Sequence, residues 1–117
     1  MEKLTARFKL WLNTEDAEGV FGDGKWRLLA AIDKEGSLKA ASETLHISYR
    51  KAWGDLKKAE ENLNVPLVQK HRGGRLGGRT GLTDQGRKWV KAYTAFRGDI
   101  EKAVERAYQE HVERLLK

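Results

Sequence analysis

The chain of 117 residues contains no cysteine, one proline, Pro66, and no apolar run of membrane length. Without cysteine there is no disulfide framework, no zinc finger and no thiol nucleophile, and a reducing cytoplasm is the compartment the composition suits. A metal site would have to be built from His, Asp and Glu. The three histidines, His46, His71 and His111, stand far apart with no HxxxH or HExxH spacing, so no metal ligand set is expected. GxSxG, GxGxxG and GxxxxGK[ST] are also missing, which removes the usual signatures of a nucleophile elbow and of nucleotide-phosphate cradles. Neither an enzyme nor a bound cofactor is expected. The opening MEKLTARFKLWLN alternates polar and apolar residues and lacks the unbroken apolar core of a signal peptide, so a soluble protein without membrane association is expected.

One further absence is local. From Asn62 to Gly81 there is no Asp or Glu, although the whole chain carries 17. Residues 37–81 hold nine Lys/Arg against four Asp/Glu, residues 1–36 six against seven, and residues 82–117 eight against six. Five of the six net positive charges therefore arise in the middle segment. A localised cationic excess points to a polyanionic partner more strongly than a diffuse one does.

The patterns around that segment specify its architecture. Thr5–Asn13 alternates with period two, Ala6, Phe8, Leu10 and Leu12 on one side and Arg7, Lys9 and Trp11 on the other, and is read as a strand edging a sheet further on. The run KWRLLAAIDKEG places Trp26, Leu29, Ala30 and Ile32 on a helical stripe that closes at Gly36. Ser37 can cap a second short helix with Leu38, Ala41 and Leu45 inward. His46 and Ile47 make a turn, Ser48 caps again, and Ala52, Leu56, Ala59 and Leu63 recur at four, three and four residues in a third helix. Its other face carries Arg50, Gly54 and Lys57, with Tyr49 and Lys51 in the first turn and Trp53 at the edge of the apolar stripe. Pro66 ends this helix. Leu67 and Val68 begin a strand, and Lys70, His71 and Arg72 lead into a ribbon with five glycines between Gly73 and Gly81, interleaved with Arg75 and Arg79. Glycine lets backbone approach another surface closely, and arginine offers a planar fork to phosphate oxygens.

Two helices, a turn, a third helix and a cationic ribbon form the layout of a winged helix-turn-helix. The expected fold is mainly α with a small antiparallel sheet, with residues 1–82 as the DNA-binding domain and 83–117 as a long helix. A solvated amphipathic hairpin, a bare Gly/Arg loop and flexible RNA binding are the competing readings. In the tail, Trp89, Tyr93, Phe96, Ile100, Ala103 and Ala107 step by four and three residues, and a second stripe runs through Ile100, Val104, Tyr108, Val112 and Leu115. A helix over this span would extend roughly 50 Å, beyond what one small domain covers, so homodimerisation through it is expected. A helix folded back over its own domain is the alternative.

The segments GSLKAASETLHISYRKAW and NVPLVQKHRGGRLGGRTGLTDQG, within roughly residues 20–97, resemble the DNA-binding domain of ModE-type molybdate-responsive transcription regulators, inside the LysR-type winged-helix group. SYRKAW and GGRLGG followed by LTDQG are the most specific parts. The resemblance implies a dimeric regulator acting on double-stranded DNA, with Ser48, Tyr49, Arg50 and Lys51 as base and phosphate readers and Arg72, Arg75 and Arg79 as wing contacts. Ser37, Trp53, Lys57 and Lys70 complete the expected DNA-facing set. Molybdate-sensing members use C-terminal oxyanion-binding domains, whereas this chain runs to Lys117. The expectation is a form without its own sensor, leaving room for a separate oxyanion-sensing protein as partner. An interaction module working through the long helix, its basic surface incidental, is the second functional reading.

Overall fold

The computed structural model describes residues 3–71 and 79–117. Helix α1 (Asp23–Glu35) is central, touching the two helices that follow it and the long C-terminal helix. Because neighbours enclose it on more than one side, it buries Leu28, Leu29, Ala31 and Ile32. The stripe read from the sequence is thus rotated: Ala30 is exposed, and Trp26 lies half-buried against the C-terminal helix, its Nε1 donating to Thr94 Oγ1 at 2.9 Å. Gly36 ends α1 with φ 78° and its N–H bonded to the Ile32 carbonyl at 2.8 Å, a left-handed cap that favours glycine.

Helix α2 (Leu38–Thr44) and helix α3 (Tyr49–Leu63) form as their serines indicate. Ser37 Oγ accepts from Ala40 N at 2.9 Å and Ser48 Oγ from Lys51 N at 3.0 Å. Each bond satisfies an amide that the first helical turn leaves free, worth about 1 kcal/mol. Leu38, Ala41, Ala52, Leu56 and Ala59 are buried, closing α2 and α3 onto α1. Between these helices His46 takes a left-handed φ of 58° and Ile47 N donates to Ser42 O at 3.0 Å. Helix α3 stops at Asn64, also left-handed, two residues before Pro66.

Four short strands make two separate sheets. Strand β1 (Trp11–Leu12) pairs antiparallel with β2 (Phe21–Gly22), and β3 (Val68–His71) with β4 (Arg79–Leu82) in the register Val68↔Leu82 to His71↔Arg79. The second pair is the wing. The N-terminal strand does not edge it, contrary to the sequence expectation, and only two residues of Thr5–Asn13 are strand. The cause is a competing set of polar bonds: Leu10 N donates to the Asp23 carboxylate at 3.2 Å, and Asp23 N to Leu10 O at 3.0 Å. They commit the segment to the start of α1.

Helix α4 (Asp84–His111) is capped by Thr83, whose Oγ1 accepts from Gly86 N at 2.9 Å and donates to Pro66 O at 2.6 Å. A Cβ on Gly86 would collide with the Leu67 carbonyl oxygen, so the LTDQG stretch is a packing requirement at the junction of α4 and the wing. The helix is about 42 Å long at 1.5 Å per residue, shorter than expected, and gives way to a 3-10 turn, Glu113–Leu116. Its first half belongs to the domain core. Tyr93 is 2% exposed, its ring 5.2 Å from Phe21, and Trp89 lies 5.0 Å from Phe21. Farther along, the N-terminal segment runs beside α4, Tyr108 Oη donating to Leu4 O at 3.1 Å.

A polar cluster locks α4, α1 and the N-terminal segment together. Arg97 Nε donates to Asp23 Oδ1 at 2.9 Å, while the Tyr93 hydroxyl lies 2.8 Å from the same oxygen and 3.0 Å from Leu10 O, its single proton shared between them. The Arg97 guanidinium also stacks 4.7 Å from the Phe8 ring centre. Burial alone would raise the Asp23 pKa. The bonds from Arg97, Tyr93 and Leu10, with the charge of Arg97, outweigh it and hold the carboxyl below its ordinary value. Burial and the adjacent Asp23 push the Tyr93 phenol well above its usual range.

Candidate nucleic-acid interface

The first turn of α3 is built to be read from outside. Its inner face is fixed by Ala52, Leu56 and Ala59, so the positions between them point away from the core. Tyr49 is 53% exposed, Arg50 and Lys51 are exposed, and Ser48 keeps the turn capped. One of these side chains is engaged: Lys51 Nζ lies 2.8 Å from Asp55 Oδ2, one turn on. An exposed pair of this kind is worth only about 0.3–0.5 kcal/mol, so Lys51 can exchange Asp55 for a phosphate at little cost.

Trp53, read at the edge of the apolar stripe and among the DNA-facing residues, is 49% exposed, with the Lys57 ammonium 5.0 Å from its ring centre. The sequence places these two residues four apart, and the fold turns that spacing into an aromatic and cationic platform on the outer side of α3.

The wing is tied to this helix by a residue absent from the sequence-derived set. Glu60 Oε2, on α3, accepts from Leu67 N at 2.7 Å and Val68 N at 3.3 Å, holding the start of β3. A second tie joins the wing to the opening of α2. Thr80 N donates to Gly36 O at 2.9 Å, and the Arg79 side chain lies so close over Gly36 that a Cβ there would sit 2.8 Å from its Nε. Ser37 and Arg79 are therefore brought together at one corner, while Lys70 is exposed on β3 opposite Thr80. Arg72 and Arg75 fall outside the described residues.

Lys25 is another cation that periodicity did not single out. It is half-buried at the start of α1, with Nζ donating to Gly19 O at 2.6 Å. Burial lowers its pKa; Asp55 opposes this shift, while Lys58 and Lys51 add to it.

Of the side chains expected at a dimer interface, Tyr93 is enclosed in its own domain and Trp89 is half-buried there, because the first half of α4 supplies core to α1 and β2. Ile100, Val104 and Tyr108 are half-buried, Phe96 is 41% exposed and Val112 is exposed. Leu115, on the 3-10 turn, is 78% exposed. The outward apolar surface thus lies in the second half of the helix and its terminal turn, joined by Phe96.

A capped helix pair crossing a tight turn, with a two-stranded ribbon bonded to the second helix, defines a winged helix-turn-helix. Residues 24–87, from α1 to the first turn of α4, match the family described as bacterial regulatory helix-turn-helix protein, lysR family, and the chain belongs to that family. It is similar to the molybdenum transport protein ModE of Azotobacter vinelandii, 37% identical over 91 residues, covering 78% of this chain and 34% of that protein. It is also 37% identical over 75 residues to the molybdenum-pterin-binding protein MopB of Rhodobacter capsulatus, covering 64% of this chain and 28% of that one. The chain thus spans about a third of the length of the curated relatives it matches. Among solved structures, the CbnR DNA-binding domain in a DNA complex superposes with a TM-score of 0.60 at 18% identity, covering 74% of this chain and 94% of that one. The BenM DNA-binding domain with benA site 1 DNA gives 0.58 at 20%, with the same coverage of each chain. At these identities the likeness is one of fold. The family is regulatory rather than enzymatic.

Proposed function

We propose that this chain binds double-stranded DNA in a sequence-specific way and regulates transcription as a homodimer on a palindromic operator. The observation that carries the reading is the exposed Tyr49–Arg50–Lys51 turn, capped by Ser48 and held to the wing through Glu60. Rigid attachment of reader to wing sets one spacing between base contacts and backbone contacts. Residues 1–82 act as the reading head. Residues 83–117 supply the dimer contact through Phe96, Ile100, Val104, Tyr108, Val112 and Leu115. Two-fold pairing would place the two α3 helices on half-sites separated by about one turn of duplex or a multiple of it. Similarity to molybdenum-named relatives supports a place in molybdenum-linked regulation.

The test is selection from a random duplex pool with the purified chain, followed by affinity against salt. An enriched inverted repeat is expected, with log affinity falling by about 0.9 per phosphate contacted for each log unit of salt. Lys70→Ala with Arg79→Ala should weaken all duplexes alike, whereas Arg50→Ala should blur sequence preference. A flat salt response would instead favour a protein-interaction role for the long helix.

A further inference from the structure

Beside the reading helix lies a cleft that shares only Lys51 with the expected DNA-facing residues. It has a volume of about 1020 Å³, at the upper limit of small-molecule sites. One wall is the N-terminal segment around Arg7 to Trp11, which precedes the family-matched residues 24–87. The opposite wall is the flank of α3 at Lys51 and Asp55, and the floor comes from α1 and from Leu45 and Ile47 around the turn. In helical projection Lys51 and Asp55 lie roughly 100–160° from Arg50 and Lys57, so the cleft opens on the flank of α3 rather than on its outward face.

Two properties of the lining are independent of each other. The first is charge. Arg7, Lys9, Lys25, Arg27 and Lys51 face the cleft against only Asp23 and Asp55. Both acids are already engaged, Asp23 by Arg97 and Tyr93 and Asp55 by Lys51. Among the described residues the other four cations have no carboxylate partner. The second property is apolar surface: Phe8, Leu10, Leu45 and Ile47 are half-buried and Trp11 is 50% exposed at the same site. A surface made only to hold a phosphate backbone has no use for this apolar floor, whereas an amphipathic anion matches both properties.

We propose that the cleft binds a small organic anion, an aromatic or otherwise apolar body bearing one carboxylate or comparable oxyanion. The acid group is held between Lys25 and Lys51, and the body lies on Leu45, Ile47 and Trp11. Burial lowers the Lys25 pKa, Asp55 opposes this and Lys58 and Lys51 add to it, and an anion seated here offsets the repulsion from the two neighbouring lysines. Because Lys51 belongs both to this cleft and to the first turn of α3, an occupant competes directly for a DNA-reading side chain. That regulatory consequence rests on the DNA-binding reading; the binding itself does not, and it is tested without DNA.

The experiment follows backbone amide resonances of the isotopically labelled chain during titration with 1-naphthoate, the neutral 1-naphthalenemethanol and acetate. Saturable shifts centred on Trp11, Lys25, Ile47 and Lys51 are expected with 1-naphthoate, and the other two probes should bind about tenfold more weakly. Lys25→Met should lower naphthoate affinity about tenfold. The Arg7→Gln/Lys9→Gln pair, at exposed positions that leave the core untouched, should lower it several-fold and keeps the test valid if Lys25→Met unfolds. The proposal is overturned by no saturation up to about 10 mM, by equal affinity for the neutral alcohol, or by shifts centred on α4. It is equally overturned if duplex DNA moves the cleft amides and 1-naphthoate does not, which would make the cleft a backbone-binding surface.

Discussion

Replacing Arg97 by methionine separates the electrostatic role of this residue from its packing, because methionine keeps a long apolar stem against Phe8 and Trp26 while removing the guanidinium. The side chains of Arg97 and Asp23 are only 14% and 10% exposed, so the lost partner is not replaced by bulk water. Breaking a buried pair costs about 3–5 kcal/mol. Here the Leu10 amide and the Tyr93 hydroxyl continue to donate to Asp23, which reduces the expected loss to about 2–3 kcal/mol at pH 7. For a domain of this size that corresponds to a fall in Tm of roughly 10 °C.

The pH dependence gives a second handle on the same residue. In the wild type the depressed Asp23 pKa means that its contribution is present above the unfolded value of 3.8 and is lost as pH falls through the lower folded value. Without Arg97 the burial effect is opposed by fewer bonds, the folded pKa rises, and the variant recovers part of its deficit as the carboxyl protonates. The gap between wild type and Arg97→Met should therefore narrow between pH 7 and pH 4. Urea denaturation at both pH values, combined with Asp23→Asn in a double-mutant cycle, measures the coupling. A loss under about 0.5 kcal/mol, or additive single effects, would refute the claim that this pair fastens α4 to α1.

Three other outcomes follow from the packing. Glu60→Ala leaves the Leu67 and Val68 amides without their acceptor and should cost about 1–2 kcal/mol in chemical denaturation, with faster hydrogen exchange at the start of β3; unchanged exchange would show that the wing is held by other means. Gly36→Ala places a Cβ in a left-handed position and on the Arg79 guanidinium. It should cost about 1–2 kcal/mol in thermal unfolding and weaken binding to all duplexes equally, and a neutral effect on stability would contradict the cap assignment. Phe96→Arg puts charge on the outward apolar surface and should shift a dimer towards monomer in analytical ultracentrifugation while Tm at low concentration is retained; an unchanged dimer would place the interface elsewhere.

The parts of the reading head that were legible in the sequence are those governed by neighbours a few residues away. Ser37 and Ser48 reach amides three residues on, and Ala52, Leu56 and Ala59 share a face because of helical periodicity alone. The glycine of LTDQG was visible, but its reason was not: Gly86 is required by the carbonyl of Leu67, nineteen residues earlier. Trp53 was read at the edge of the apolar stripe and among the DNA-facing residues, and the packing of α3 on α1 leaves it half exposed outside the core.

Asp23 and Arg97 gave no signal either. One sits in a Gly-punctuated stretch and the other on what periodicity treats as the outside of a helix, yet they are 74 residues apart in sequence and bonded in space. The same long-range bonds took Leu10 away from the wing and created the cleft between the N-terminal segment and α3. Sequence by itself determined the existence of the helices, the caps at Gly36, Ser37 and Ser48, the strand that opens the wing and the concentration of charge along the chain, because hydrogen bonds across three or four residues and side-chain periodicity are local. Tertiary structure alone decided which helix face meets solvent, which half of α4 is core, and where the cations gather. Those outcomes depend on desolvation and on partners brought together from opposite ends of the chain.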